Sequence, residues 1–391
     1  MNLENIVKQI NTWYPKNNLP IPINQPTINE KDINSIIETL NENWVSTAGP
    51  IINKFEEQLK SEFDQKEVVA VNSGTSALHL SLLGLGISQD DQIITTPLTF
   101  VAPLNAIKYV GAYPLFIDIS QKDLSLDINL LNQYADINFV QKGKFTFDIK
   151  TNKKVKALLS VDVFGHIGDI EEYRKFCDKY GLKLIVDSAE SLGSKRNGNT
   201  SAKFSDITTT SFNGNKIITS GAGGAIVSKD EDFLNKVRHL ATTANTETES
   251  YSYFHDLVGY NYRLPALNAS LGLSQLSILD KKIMEYREIH KQYSNLVNKI
   301  EDIEIFEETI GAKSNYWLNL IMFKQTISQD EKIKFIKELN KIGIGARNVW
   351  NVLHQLPFVD RKHLLKYPIA ESIFHRGFNL PTSSLIIDAK N

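Results

Sequence analysis

The chain has 391 residues, and its 43 Lys+Arg against 45 Asp+Glu give a net charge of −2, so nothing in its charge selects nucleic acid over any other soluble ligand. Single cores stop growing near roughly 250–300 residues, so this length argues for one large and one smaller domain. The lone cysteine, Cys177, excludes an internal disulfide and a cysteine-cluster metal site, and it fits a reducing compartment.

The opening MNLENIVKQINTWYPKNN carries charges and amides inside its apolar stretch, unlike a signal peptide. No stretch is apolar for the roughly 20 residues that cross a bilayer. A cytoplasmic protein with no membrane partner is therefore expected. From about residue 66 to 240, short β-branched runs alternate with helical patterns: EVVAV, QIITT, YPLFIDI, ALLSVDVF, LKLIVDSA, ITTTSF and GAIVS. Apolar runs this short, flanked by Gly, Asp and Pro, predict strands buried on both faces of a mostly parallel sheet covered by helices. Residues 130–155 break the rhythm and read as an inserted loop or hairpin. Leu264 to about Ile300 predicts one long helix or two abutting ones, and a small α+β region follows to Asn391. The expected division is 1–265, with an N-terminal arm at 1–30, and 266–391. In such sheets, ligands sit beyond the carboxyl ends of the strands, so the polar residues just after each strand carry the most information.

Four stretches stand there. NSGTSALHLSLLGLG follows EVVAV, and Ser73, Gly74 and Thr75 open a helix whose free N–H groups make an anion seat; an ordinary N-cap is the competing reading. The spacing is not that of a P-loop. In LIVDSAESLGS, Asp187 sits at a strand end with little water to solvate it, and so needs a cation or several donors; a helix cap is the alternative. In TTPLTF, Phe100 can lie against a flat ligand or be simple core. In SFNGNKIITSGAGG, Lys216 stands between a serine-led start and a glycine cluster, where a solvated loop cation is the competing reading.

Taken together, an anion seat, a buried carboxylate, an aromatic plate and a lysine match pyridoxal 5′-phosphate (PLP), with its phosphate, pyridine nitrogen, flat ring and aldehyde. Asp187 would keep the ring nitrogen protonated, and Lys216 would condense with the aldehyde and then carry the proton. No His/Asp/Glu cluster has metal-ligand spacing, so no metal is expected.

The motifs NSGTSALHLSLLGLG, ITTPLTFVAPLNAI, YPLFIDI, VDVFGHIGDI, VDSAESLGS, SFNGNKIITSGAGG and GYNYRLPALNASLGLSQL, in this order, resemble the DegT/DnrJ/StrS family of sugar aminotransferases from about Pro22 onward. The resemblance implies an α/β fold of the aspartate-aminotransferase type (fold type I), with a mostly parallel PLP-binding domain and a smaller α+β domain. It implies a homodimer with shared active sites. It assigns Lys216 to the cofactor aldehyde, Asp187 to the pyridine nitrogen and Phe100 to the ring face. The phosphate falls to Gly74, Thr75 and Ser211 beside Ser73, with Asn261 reaching it from the partner subunit, and Glu190 lies near ring and sugar. Lysine at 216, where some members carry histidine and act as dehydratases, implies transamination.

The opening WYPKNNLPIPINQP, WVSTAGP, NGNK and VWNVLHQLP resemble the branch that aminates UDP-4-keto-6-deoxy-N-acetylhexosamines. Such products feed legionaminic-type nonulosonic acids, lipopolysaccharide or other surface glycans, and glutamate is the usual donor. Ala222 and Asn348 depart from that branch and bear on the sugar more than on the chemistry. Ser46 and Thr47 either line the sugar pocket or form a turn before a helix, His166 either approaches sugar or cofactor or bonds backbone, and Arg263 and Arg347 either clamp a carboxylate or diphosphate or tie loops together; none of the five is assigned. Two other classes compete: a non-catalytic nucleotide-sugar-binding protein on the same fold, and an NTPase or oxidoreductase, whose glycine signatures are absent.

Overall fold

The computed structural model describes residues 1–14, 19–64, 66–246, 253–383 and 386. Residues 15–18 of the opening motif and the last residues up to Asn391 lie outside them. None of the described helices is long and apolar enough to cross a membrane.

The apolar runs form one nine-stranded sheet. Its strands are β1 (Glu67–Val71), β2 (Asp91–Thr95), β3 (Tyr113–Phe116), β4 (Phe139–Lys142), β5 (Phe145–Asp148), β6 (Lys153–Val161), β7 (Lys183–Asp187), β8 (Ile207–Ser211) and β9 (Gly224–Ser228). The main path is β1-β9-β8-β7-β6-β2-β3, with the β4–β5 hairpin attached to β6. From β8 to β3 every neighbouring pair is parallel; β9 alone on this path runs the other way, between β1 and β8. The register sets Val161 beside Asp187, Asp187 beside Thr209, and Gly224 between Val71 and Ser211. One edge of the sheet therefore gathers the carboxyl ends of six strands.

Both faces of these strands are covered. Ile93, Leu159 and Ile185 belong to one apolar cluster, and their chain neighbours Ile94, Leu158, Leu184 and Val186 to another. Successive side chains of a strand point to opposite faces, so burial on both sides demands the continuous apolar runs seen in the sequence. The helix Gly74–Gly84 buries seven consecutive residues, Ser76 to Leu82. A helix apolar all round is an interior helix, and this one is fixed at its start by the Ser73 side chain, which accepts from the Ser76 N–H at 3.1 Å.

The segment expected to be a loop or hairpin over 130–155 is so only in its middle. Residues Ile128–Asn138 form a helix, β4 and β5 form the hairpin, and β6 already begins at Lys153. The amides and aromatics disguised a buried stripe of Leu131, Tyr134, Ala135 and Asn138 at helical spacing, capped by Asp127, which accepts from the Asn129 and Leu130 N–H groups.

Past Leu264 there are two helices, Ala266–Leu276 and Leu279–Val297. The second leads to a four-stranded antiparallel sheet of β10 (Ile303–Ile305), β11 (Asn319–Phe323), β12 (Arg347–Asn348) and β13 (Gly377–Leu380), ordered β10-β11-β13-β12. Phe323, Phe335 and Phe378 pack at its centre. Part of the N-terminal arm is sewn to this region: Ile21 exchanges backbone bonds with Gly343 and Gly345, and Ile23 accepts from Thr382. Its short edge strand β12 carries Arg347 to the rim of the large sheet.

Candidate active site

At the strand ends lies a cavity of about 200 Å³ lined by Ser73, Gly74, Thr75, Phe100, Asp187, Glu190, Ser211 and Lys216, and closed by Trp317, Arg347 and Trp350. Eight of the nine cofactor residues expected from the sequence are thus brought together. Asn261 is not; it is exposed, bridges Thr242, and accepts at its carbonyl from Asn72.

The anion seat depends on close approach. A Cβ on Gly74 would lie 2.9 Å from Ser211 Cβ, and one on Gly224 would lie 2.5 Å from the Ser73 carbonyl carbon. Only glycine at both places lets the first turn of the Gly74–Gly84 helix press against the ends of β8 and β9. The first turn of that helix, with Thr75, and Ser211 at the end of β8 then line the cavity together, with the positive end of the helix at its wall.

Asp187 ends β7 and is 6% exposed. Burial pushes its carboxyl up from 3.8 to about 6, against the opposing pull of the Ala189 N–H, which donates to Oδ1 at 3.0 Å, and of the Lys216 charge. A carboxylate so poorly solvated gains from any cation placed against it. Behind it, Asp162 Oδ2 accepts from Ser191 Oγ at 2.7 Å and Ser201 Oγ at 2.6 Å, and burial pushes this second carboxyl up to about 7. Asn315 Nδ2 donates to the carbonyls of Glu190 and Leu192, both at 2.9 Å. The turn after β7 is therefore held from below and from the side.

That turn presents Glu190. Its Oε2 accepts the Phe164 N–H at 2.8 Å, its Oε1 stands 3.5 Å from Lys216 Nζ, and burial raises its pKa. Phe164 is buried with φ 55 and ψ 19, a left-handed conformation rare for an aromatic residue and of the kind that clusters at functional sites. Its ring stacks on Trp350 with centroids 4.7 Å apart, and Trp350 meets the half-exposed Phe100 edge to face at 6.4 Å. Burial lowers the Arg347 pKa, with Glu190 as the opposing charge.

Lys216 sits in a loop pinned at both ends: Phe212 N–H donates to Gly223 O, and Ser220 N–H to Phe212 O, each at 2.9 Å. Its Nζ lies 3.9 Å from the centroid of the Trp317 ring. Trp317, Trp350, Asn213 and Asn215 received no site role from the sequence, although NGNK contains both asparagines and VWNVLHQLP contains Trp350.

His166, left without a role in the sequence, is buried against Phe306 and Tyr316, with its pKa pushed down to about 3 by burial. It does not line the cavity. Thr47 and Arg263 line a separate cavity with Arg238 and Glu56.

The donor set fits PLP: a helix start with hydroxyls for a dianion, an amine, an aromatic face, and a desolvated carboxylate awaiting a cation. The fold and the cavity define a PLP-dependent aminotransferase. A model of the DegT/DnrJ/EryC1/StrS aminotransferase family matches residues 26–390. The chain is 33% identical over 362 residues to GDP-perosamine synthase of Escherichia coli O157:H7, with 93% of each chain covered. It is 29% identical over 339 residues to the UDP-4-amino-4,6-dideoxy-N-acetyl-β-L-altrosamine transaminase of Campylobacter jejuni, covering 85% of this chain and 84% of that one. Among solved structures, Helicobacter pylori PseC, an aminotransferase involved in the biosynthesis of pseudoaminic acid, superposes with a TM-score of 0.81 at 25% identity over 93% of both chains. The chain belongs to the DegT/DnrJ/EryC1/StrS aminotransferase family and is a PLP-dependent sugar aminotransferase.

Proposed function

We propose that the enzyme transfers an amino group from glutamate to the keto carbon of a UDP-linked 4-keto-6-deoxy-N-acetylhexosamine, for surface glycan or nonulosonic acid synthesis. The observation that carries the chemistry is the convergence of Lys216, Asp187 and the Ser73–Thr75 helix start in one cavity. The relatives from C. jejuni and H. pylori, named for N-acetylated dideoxy sugars and pseudoaminic acid, support the substrate class.

When bound, PLP supplies an aldehyde that condenses with amines and a protonated ring that accepts electrons as a substrate proton leaves. In this reading Ser73, Gly74, Thr75 and Ser211 bind the phosphate, Phe100 lies along the ring, and the Asp187 carboxylate holds the proton on the ring nitrogen. Lys216 Nζ is the nucleophile, and it moves the proton to and from the substrate carbon. Glu190 pairs with that nitrogen. Arg347, whose fork of donors suits a carboxylate, receives the donor amino acid. Asn261 is exposed, and in this reading it serves the phosphate of a second copy of the chain in a homodimer.

A second reading keeps the reaction and changes the nucleotide. The relative from E. coli is named for a GDP-linked product, so GDP-linked 4-keto-6-deoxy sugars are the competing substrates. Incubation with glutamate and a panel of UDP- and GDP-linked 4-keto sugars, with detection of 2-oxoglutarate and the aminated sugar, separates the two. Amination of only GDP-linked sugars would overturn the first reading, and amination of none would overturn both.

A further inference from the structure

Beyond the residues that would touch the cofactor, one aromatic side chain is tied to Lys216. Trp317 is 2% exposed, so its orientation is set by the interior. Its Nε1 donates to Asn215 O at 2.7 Å, within the lysine loop, and its backbone N–H donates to Asn315 Oδ1 at 2.9 Å. The same Asn315 holds the Glu190 carbonyl through Nδ2. One buried asparagine thus ties the backbone of Trp317 to that of Glu190, while the indole is held by Asn215 O and the carboxylate by the Phe164 N–H; Lys216 Nζ lies 3.9 Å from the ring centroid and 3.5 Å from Glu190 Oε1.

A cation over an indole face within about 6 Å is attracted by the ring quadrupole, more strongly as water is removed. A transaminase lysine is covalently held for part of each cycle and free for the rest. While free, its four-carbon stem has considerable rotamer entropy, and the ammonium carries the proton that it must return.

We propose that Trp317 is a positioning residue for Lys216: its indole face and the Glu190 carboxylate form a seat that holds the free ε-ammonium inside the cavity. The inference rests on the reading of Lys216 as the nucleophile. The charged groups around Nζ are Glu190 and Asp187, with Arg347 facing Glu190 across the cavity.

The test uses enzyme loaded with pyridoxamine 5′-phosphate, in which the lysine is free. Competitive acetylation with acetic anhydride over a pH series, read by mass spectrometry on the peptide carrying Lys216, gives the titration midpoint of that amine, with surface lysines as internal references. Removing the ring face in Trp317→Leu is expected to lower the midpoint by roughly half to one and a half pH units. Trp317→Phe, which keeps a weaker face and loses the bond to Asn215, falls between. If Trp317→Leu does not fold, Trp317→Phe decides alone. A midpoint equal to wild type in the folded variant overturns the seat. Borohydride reduction of the PLP-loaded enzyme is the separate check: a tag on any residue other than Lys216 overturns the underlying reading rather than the seat.

Discussion

Replacing Asp187 by Asn separates what the cavity costs the fold from what it gives the cofactor. Burial raises this carboxyl from 3.8 to about 6 in the cofactor-free protein, a gap worth about 3 kcal/mol at 1.36 kcal/mol per pKa unit. Because the folded state holds the proton more tightly than the unfolded chain, stability falls as pH rises through this window and is flat above about 6. Wild type therefore carries the full cost at neutral pH. Asn removes the charge and keeps an acceptor for the Ala189 N–H, whose weaker bond to a neutral group is already contained in that gap, so the net gain is about 3 kcal/mol. For 391 residues at about 2.1 cal/mol/K each, that is a rise in Tm of about 3–4 °C. Calorimetry of cofactor-free protein, prepared with hydroxylamine, should show the variant melting higher at about pH 7.5 and level with or below wild type at about pH 4, where both side chains are neutral. With PLP the order should reverse, because the ring nitrogen loses its charged partner, and affinity should fall about 10- to 150-fold. A variant whose melting point equals or falls below wild type at neutral pH would refute burial as the source of the Asp187 shift.

Three further outcomes follow from the geometry. Lys216→Ala should still bind PLP without a covalent link, yet lose at least about 10³-fold in turnover, since nucleophile and proton carrier disappear together; a smaller loss in a steady-state assay removes Lys216 from its role. Gly74→Ala drives a methyl to 2.9 Å from Ser211 Cβ and should cost about 1–3 kcal/mol, read as a lower melting point and weaker PLP binding by fluorescence titration. Asn261→Ala, lacking a phosphate donor, should bind PLP more weakly, and mixing it with Lys216→Ala subunits should bring back up to about a quarter of the sites by random pairing if Asn261 serves the other copy; no recovery would take Asn261 out of a shared site.

Much of the site was legible because each cofactor group demands a particular residue type at a strand end, and a parallel sheet aligns those ends. Asp187, Lys216 and Ser73 to Thr75 could be picked out by that logic, and Phe100 was a plausible plate. The helix Ile128–Asn138 was missed because its buried stripe includes Asn138 and Tyr134, polar-looking residues whose burial depends on neighbours. Tyr134 is buried with its hydroxyl bonded to Asp148 at 2.8 Å, a contact invisible from spacing.

What the chain by itself determined was the layered α/β order, the strands buried on both faces, and the residue types aligned at their carboxyl ends, because periodicity and local propensity act between near neighbours. Only the tertiary structure decided that Trp317 and Trp350 close the cavity, that Asn315 braces the Glu190 turn, that Arg347 reaches the rim from a second sheet, and that Asn261 stays outside. Those placements join residues more than a hundred positions apart, and they are set by how the two sheets and their helices pack, which no local pattern encodes.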